Sequence, residues 1–282
     1  MKVIESVSEM QAISDQLRQN GKRIGLVPTM GYLHDGHIRL IEEARLHCDF
    51  LVVSIFVNPV QFAPNEDFDK YPRDFEHDRS LLIGQSVDCV FYPQIDVMYP
   101  EQQKTYVITE DLGNKLCGIR RPTHFRGVTT VVAKLFNIIK PHVAVFGQKD
   151  GQQALILKKM VKDLNFDIMM TIVPTVRESD GLAMSSRNKY LSDTERQAAP
   201  EIYRSLTAAK EMIDKGICDR VKIANLIEER LKSIPQFRID YIAIVNTETL
   251  EPVDTVSEKT MIAVAVFCGK TRLIDNIMIG QN

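Results

Sequence analysis

Five short apolar runs, separated by amphipathic stretches, narrow the folds open to the first half of this chain. The runs are "RIGLVP" (23–28), "FLVVSIFVN" (50–58), "VDCVFYP" (87–93), "HVAVFG" (142–147) and "DIMMTIVPTV" (167–176). They are β-branched and nearly continuous rather than alternating, the pattern of strands covered on both faces. Between the first two, Ile38, Ile41, Ala44 and Leu46 recur at close to helical spacing. "DFEHDRSLLIGQ", "FRGVTTVVAKLFNIIK" and "DGQQALILKKMVKDL" read as further helices. Strands alternating with helices predict the α/β class, a Rossmann-like doubly wound parallel sheet. Right-handed crossovers then gather the loops after the strands along one edge, where such folds bind ligands.

Near residue 180 the pattern changes. "RESDGLAMSSRNKYLSD" is polar and reads as a hinge. Two helical stretches follow, 193–215 and 219–233, and then three closely spaced apolar runs, "IDYIAIV", "TMIAVAVF" and "RLIDNIMI". Helices followed by hairpin-spaced strands predict a smaller C-terminal α+β domain carrying an antiparallel sheet. The expected division of the 282 residues is therefore 1–178 and 179–282.

Bulk properties exclude several partners. With 35 Lys and Arg against 37 Asp and Glu, a formal charge of -2 gives no electrostatic reason to expect nucleic acid or an anionic membrane surface. No apolar run approaches the roughly 20 residues that span a bilayer. The five cysteines are odd in number, scattered and never in a CxxC pair. Free thiols in a reducing cytoplasm are the expectation.

The stretch after the first run, "PTMGYLHDGH" (28–37), leaves a strand, turns through Gly31 and Gly36, and starts a helix near His37. Such a junction leaves backbone N–H groups unpaired at the positive end of a helix, a natural seat for phosphate. GxGxxG and GxxxxGK[ST] patterns are both absent, so dinucleotide and P-loop readings fail. Imidazoles there suit the charge of a phosphoryl transition state. Metal ligation, which would want a third ligand, and a purely structural histidine pair remain the alternatives.

Asn58, at the end of the second run, and Gln61 sit just past the second strand, and two neutral amides suit a small hydroxy acid; Asn-Pro as a mere turn is the competing reading. In "VFGQKDGQQ" (145–153), Gly147 permits close backbone approach and Lys149 suits phosphate oxygens. Asp150 would meet a ribose hydroxyl or cap the next helix, and Gln153 would point back toward the loop. Ser185, Ser186 and Arg187 make a mobile clamp for a polyphosphate, or else a solvated linker. Arg121, His124 and Arg126 in "RRPTHFRG" would support an anionic ligand, or else are the ordinary charge of a solvated helix entry. No Ser/His/Asp or Cys/His nucleophile is legible. An enzyme that activates a small carboxylate with ATP would need this set.

"PTMGYLHDGH", "FVNPVQF", "RPTHFRGV", "FGQKDGQQ" and "MSSRN" together resemble, in order and spacing and over essentially the whole chain, the pantothenate synthetase (pantoate–β-alanine ligase) family. That family belongs to the HIGH-type nucleotidyltransferases of the class I aminoacyl-tRNA synthetase superfamily. The resemblance implies ATP-dependent condensation of (R)-pantoate with β-alanine through a pantoyl adenylate, releasing AMP and pyrophosphate. It implies an ATP site from Met30, Gly31, Tyr32, Leu33, His34, Asp35, Gly36 and His37, with Gly147, Gln148, Lys149, Asp150, Val176, Met184, Ser185, Ser186 and Arg187. Within that set His37 would be the proton donor, and His34 and Lys149 would act on the phosphates. Gln61 and Gln153 would hold pantoate, and Gln61 would also border β-alanine. Mg²⁺ would arrive with ATP, with no protein ligand named. The C-terminal domain would act as a lid starting with the mobile MSSR loop, and the chain would form a homodimer through its N-terminal domain. Two other readings stay open: a relative that adenylates another acid, and a regulatory module that binds nucleotide without turnover.

Three positions depart from the family pattern: Gly151 where an aromatic residue is usual, Thr123 where glycine is usual, and Tyr32 where a small residue is common. Gly151 would loosen the start of its helix by about 1 kcal/mol relative to alanine.

Overall fold

In the computed structural model of the chain, which describes residues 1–64 and 66–280, each of the five apolar runs contributes a strand to one sheet. The strands are β2 (Ile24–Thr29), β3 (Phe50–Ile55), β4 (Cys89–Phe91), β5 (Val143–Gly147) and β6 (Met169–Val173). A short β1 (Lys2–Ile4) adds a sixth, giving the order β1-β4-β3-β2-β5-β6 with every pairing parallel. The helices of this part are α1 (Val7–Gln19), α2 (Asp35–Arg45), α3 (Phe75–Gly84), α4 (Ile95–Met98), α5 (Cys117–Arg120), α6 (His124–Ile139) and α7 (Gly151–Asp163).

The continuity of the apolar runs has a direct cause. Leu26, Val52, Cys89, Phe91, Ala144 and Phe146 enter one core, with Met10 of α1, Val128 and Val132 of α6 and Leu157 of α7. Their strand neighbours Val27, Leu51, Val53, Val90, Val143 and Val145 enter a second, with Leu40, Ile41 and Ala44 of α2 and Leu82 of α3. Side chains alternate along a strand, so a sheet buried on both faces needs an apolar residue at every position.

The strand order also fixes where a ligand would bind. β2 and β5 are neighbours, yet the chain leaves β2 through α2 toward β3 and leaves β5 through α7 toward β6. Their carboxyl ends therefore flank the topological switch point, where open α/β sheets hold ligands.

Packing divides the chain into two compact units, Met1–Gly147 with Gln152–Val173, and Gln148–Gly151 with Pro174–Asn282. The second contains α8 (Asp193–Ala198), α9 (Glu201–Asp214), α10 (Arg220–Lys232) and the antiparallel sheet β7 (Phe237–Asn246), β8 (Thr260–Cys268), β9 (Thr271–Met278). The single helix expected over 193–215 is two: the chain breaks at Ala199 and Pro200, because proline lacks the N–H a helix interior needs. Among the described residues no helix is long and apolar enough to cross a membrane.

One contact in the first unit sets a pH dependence. Ile24 donates its N–H to His142 Nδ1 at 3.0 Å, tying the start of β2 to the residue before β5. A protonated ring cannot accept there, and burial, then Arg18 and Arg23, lower the His142 pKa from its ordinary 6.5. A depressed folded-state pKa contributes stability above the unfolded value, lost as pH falls through the folded one. Thermal midpoints should therefore fall as pH drops below about 6.5, and His142→Asn should flatten that acid limb. An unchanged limb in the variant would remove His142 as its cause.

Candidate active site

In the first unit, β2 ends at Thr29, whose hydroxyl donates to the Ser54 carbonyl at 2.8 Å and accepts from Gly31 N–H at 3.2 Å. The chain then passes through two left-handed residues, Gly31 (φ 82°) and Tyr32 (φ 52°). A side chain in that region is strained, and Asp78 of α3 holds it there. Its buried carboxylate accepts from Tyr32 N–H at 2.9 Å and Leu33 N–H at 2.7 Å. Burial raises the Asp78 pKa even against those two backbone hydrogen bonds. Gly31 has a steric reason too: a Cβ there would lie 2.9 Å from Asp78 Oδ2. His77 donates from Nε2 to the Leu33 carbonyl at 3.3 Å, and the Tyr32 ring stands 6.1 Å from its imidazole.

His34 and His37 form the cap of α2. Gly36 donates its N–H to His34 Nδ1 at 3.1 Å, and His34 donates its N–H to His37 Nδ1 at 3.2 Å. This is a capping box built from imidazoles, where Ser or Thr with Glu or Gln is usual. The ring centroids are 4.1 Å apart. With Nδ1 accepting, the proton of each neutral ring resides on Nε2. Both rings are therefore hydrogen-bond donors at Nε2, beside the first-turn N–H groups of an eleven-residue helix. Beside Met30 and Gly31 lies a cavity of about 120 Å³ whose walls include Phe56, Arg73, Asp78 and Tyr92.

Gln61 is 8 % exposed, and its Nε2 lies 3.2 Å from Met30 Sδ, joining the loop after β3 to the turn after β2. Its backbone carbonyl accepts from His124 Nδ1 at 3.0 Å and from Arg121 at 3.3 Å. Arg121 also forks onto Glu66, and the Glu66 pKa is lowered because that hydrogen bond and charge outweigh burial. Arg121 and His124, expected to support an anionic ligand, thus make contacts that hold Gln61. Asn58 is fully buried: Oδ1 accepts from Val60 N–H and the Tyr99 hydroxyl, and Nδ2 donates to Gln61 Oε1 and the Gly127 carbonyl. Those four bonds use its whole capacity, which makes it a support rather than a ligand contact.

Gly147 closes β5 beside β2, and a Cβ there would meet only Leu40 Cδ2, at 3.9 Å, so its backbone is open to close approach. Gln153 is half-buried on the first turn of α7, and among the described residues no hydrogen bond joins it to Gln61. Its neighbour Gln152 is the structural one, accepting from Cys117 N–H at 3.0 Å and donating to the Leu112 and Lys115 carbonyls.

In the second unit, Asn276 of β9 donates through Nδ2 to the carbonyls of Gln148 (2.9 Å) and Lys149 (3.0 Å). Lys149 Nζ lies 3.7 Å from Asp150 Oδ1. A Cβ on Gly151 would sit 3.0 Å from the Asn276 amide, which gives glycine at this position a physical reason. Val176 and Met184 are joined by a 3.0 Å backbone hydrogen bond that closes a hairpin. Arg177 within it grips Asp275 with two hydrogen bonds, 2.6 and 3.0 Å, and lies 3.5 Å over the Tyr203 ring. Ser185 caps the 3-10 turn Ser186–Tyr190, accepting from Arg187 N–H, and Asn188 ties that turn to Glu178 and the Ala183 carbonyl. Thr123 precedes α6 and makes no capping bond with its side chain.

Fold and site together define a doubly wound α/β protein that presents a helix N-terminus and two imidazole donors at its switch point. Sequence comparison gives the particular family. The family model of pantoate-beta-alanine ligase matches residues 2–278, and the chain belongs to that family. It is 53 % identical to the pantothenate synthetase of Thermotoga neapolitana over 280 residues, 99 % of this chain and 100 % of that one. It is similar to the crystal structure of the Thermus thermophilus enzyme (TM-score 0.94, 46 % identity, 99 % of each chain). It is also similar to the pantoate-beta-alanine ligase of Francisella tularensis, solved with beta-gamma ATP and beta-alanine (TM-score 0.80, 33 % identity, 100 % and 99 % covered).

Proposed function

We infer that the chain is an ATP-dependent ligase that condenses (R)-pantoate with β-alanine to give pantothenate. The observation that carries this reading is the imidazole cap of α2 at the switch point, in a chain of this family. The pantoate carboxylate attacks the α-phosphorus of ATP and pyrophosphate leaves. The free amine of β-alanine then attacks the acyl carbon of the pantoyl adenylate, releasing AMP. The first step is chiefly positioning and charge stabilisation.

In this reading Met30–His37, Gly147–Asp150, Val176 and Met184–Arg187 serve ATP. His37 donates a proton from Nε2, while His34 and Lys149 stabilise phosphate oxygens. Gln61 and Gln153 take pantoate, and Gln61 borders β-alanine. The Nε2 proton placement at both histidines supports the donor roles. Among the described residues no group of three His, Cys, Asp or Glu side chains is arranged for a metal. Mg²⁺ is assigned to the triphosphate oxygens, arriving with ATP, a common arrangement for this ion. The C-terminal unit serves as the lid, which begins with the Met184–Arg187 loop. A homodimer through the N-terminal unit and a cytoplasmic location complete the reading; five free cysteines fit the latter.

The test is exchange of labelled pyrophosphate into ATP with β-alanine omitted. Exchange that requires pantoate is expected. ATP binding without pantoate-dependent exchange would point to another acid or to a silent relative.

A further inference from the structure

We propose that Asn58 and Tyr99 are positioning residues that fix the Gln61 carboxamide as a hydrogen-bond donor, so that the acid is read at this point through an acceptor oxygen. The proposal rests on the reading above that Gln61 meets pantoate, and adds the polarity of the contact and the residues that set it.

A carboxamide can present either end, and here the backbone decides which. The Gly127 carbonyl can only accept, so the Asn58 atom 3.1 Å from it is the NH₂. Val60 N–H can only donate, so the atom 3.3 Å from it is the Asn58 oxygen. That oxygen takes its second hydrogen bond from the Tyr99 hydroxyl at 2.8 Å. The remaining Asn58 hydrogen points at the Gln61 carboxamide 3.1 Å away, and the group that receives it must be Oε1. Gln61 therefore has its oxygen engaged within the protein and its NH₂ directed the other way, 3.2 Å from Met30 Sδ.

A thioether is a weak acceptor. An N–H paired with one gains by turning to a carboxylate or hydroxyl oxygen, and bonds to an ionised acceptor are about twice as strong as neutral ones. The amide therefore favours ligands that offer an acceptor and gives none to ligands that only donate. Tyr99 is suited to its part. Burial pushes its pKa up, which keeps the proton on the phenol as a donor. Its ring is held between Phe56, 6.1 Å between centroids, and Lys134, whose Nζ lies 5.1 Å from the ring centre.

Two variants separate this from a packing role. Gln61→Glu keeps the shape and the acceptor for Asn58 but replaces the outward NH₂ by a carboxylate oxygen. It should raise the pantoate KM by about a hundredfold and leave the ATP KM within about twofold. Tyr99→Phe should raise the pantoate KM by roughly three- to tenfold, the scale of one neutral hydrogen bond, with the ATP KM unmoved. In a Gln61→Ala background the same change should add nothing, since Tyr99 acts through Gln61. A Gln61→Glu protein with near-normal pantoate KM would overturn the donor assignment. An equal Tyr99→Phe effect on both substrates, or one that persists without Gln61, would overturn the positioning role. Wild-type protein assayed alongside keeps the two readings apart, because loss of pantoate-dependent exchange there defeats the function itself.

Discussion

His37→Ala is expected to activate pantoate about a hundredfold more slowly, or worse, through loss of roughly 3 kcal/mol of transition-state stabilisation. The same substitution deletes the acceptor for His34 N–H, and a lost cap costs about 1 kcal/mol. Rate and stability would then fall together, and the rate alone could be blamed on the helix. His37→Gln separates them. Glutamine at this third helical position can complete a capping box, so the thermal midpoint should recover the roughly 2–4 °C lost by alanine. The rate should not recover, because glutamine supplies the cap acceptor but not the ring Nε2–H donor that His37 presents. Pyrophosphate exchange and thermal melts on the three proteins decide it. Alanine turnover within a few-fold of wild type, or glutamine turnover near it, would remove His37 from the chemistry.

Gly127→Ala is expected to destabilise the first unit and weaken its hold on the acid, although helix propensity argues the other way. Alanine in a helix interior gains about 1 kcal/mol over glycine. At Gly127 the new Cβ would lie 2.6 Å from Gln61 Cα and 2.6 Å from the Val60 carbonyl oxygen. Both are backbone atoms, so no rotamer change relieves the clash, and overpacking of this kind typically costs about 1–3 kcal/mol. Packing should win, with a thermal midpoint lower by several degrees at about 2–4 °C per kcal/mol. Because the displaced atoms belong to Gln61 and to Val60 just before it, the pantoate KM should rise as well. Gly84→Ala is the control: a Cβ there meets nothing within 4 Å, so that protein should be as stable as wild type or slightly more so. A Gly127→Ala protein that melts like the control would show that α6 and the Gln61 loop separate freely.

The central sheet is legible in the sequence because burial on both faces leaves a mark at every residue, and the Val27 and Leu26 sides of β2 enter different cores. β1 has only three residues at a sheet edge, too few to show a pattern. His34 and His37 are legible as a pair, but not their capping bonds, since imidazole rarely takes that part. The supports of the site are hidden for a common reason: their partners are backbone atoms. Asp78 looks like surface charge in "FEHDRS" and instead binds two amides that lie 45 and 46 residues earlier in the chain. Arg121 and His124 look like ligand groups and meet the Gln61 carbonyl. Side-chain identity at a given spacing says nothing about which carbonyl lies opposite. Tyr99 carries no sequence signal at all, because its role depends on one hydroxyl reaching one amide.

The Gly151–Asn276 contact limits how this protein can change over time. Asn276 holds the carbonyls of Gln148 and Lys149 from a position that a Cβ on residue 151 would crowd at 3.0 Å. Each residue is therefore the permission for the other. A larger side chain at 151 would therefore require the Asn276 amide to move from this placement. Gly151→Phe should loosen the hold of Asn276 on the Gln148 and Lys149 carbonyls, and a smaller residue at 276 should relieve the crowding.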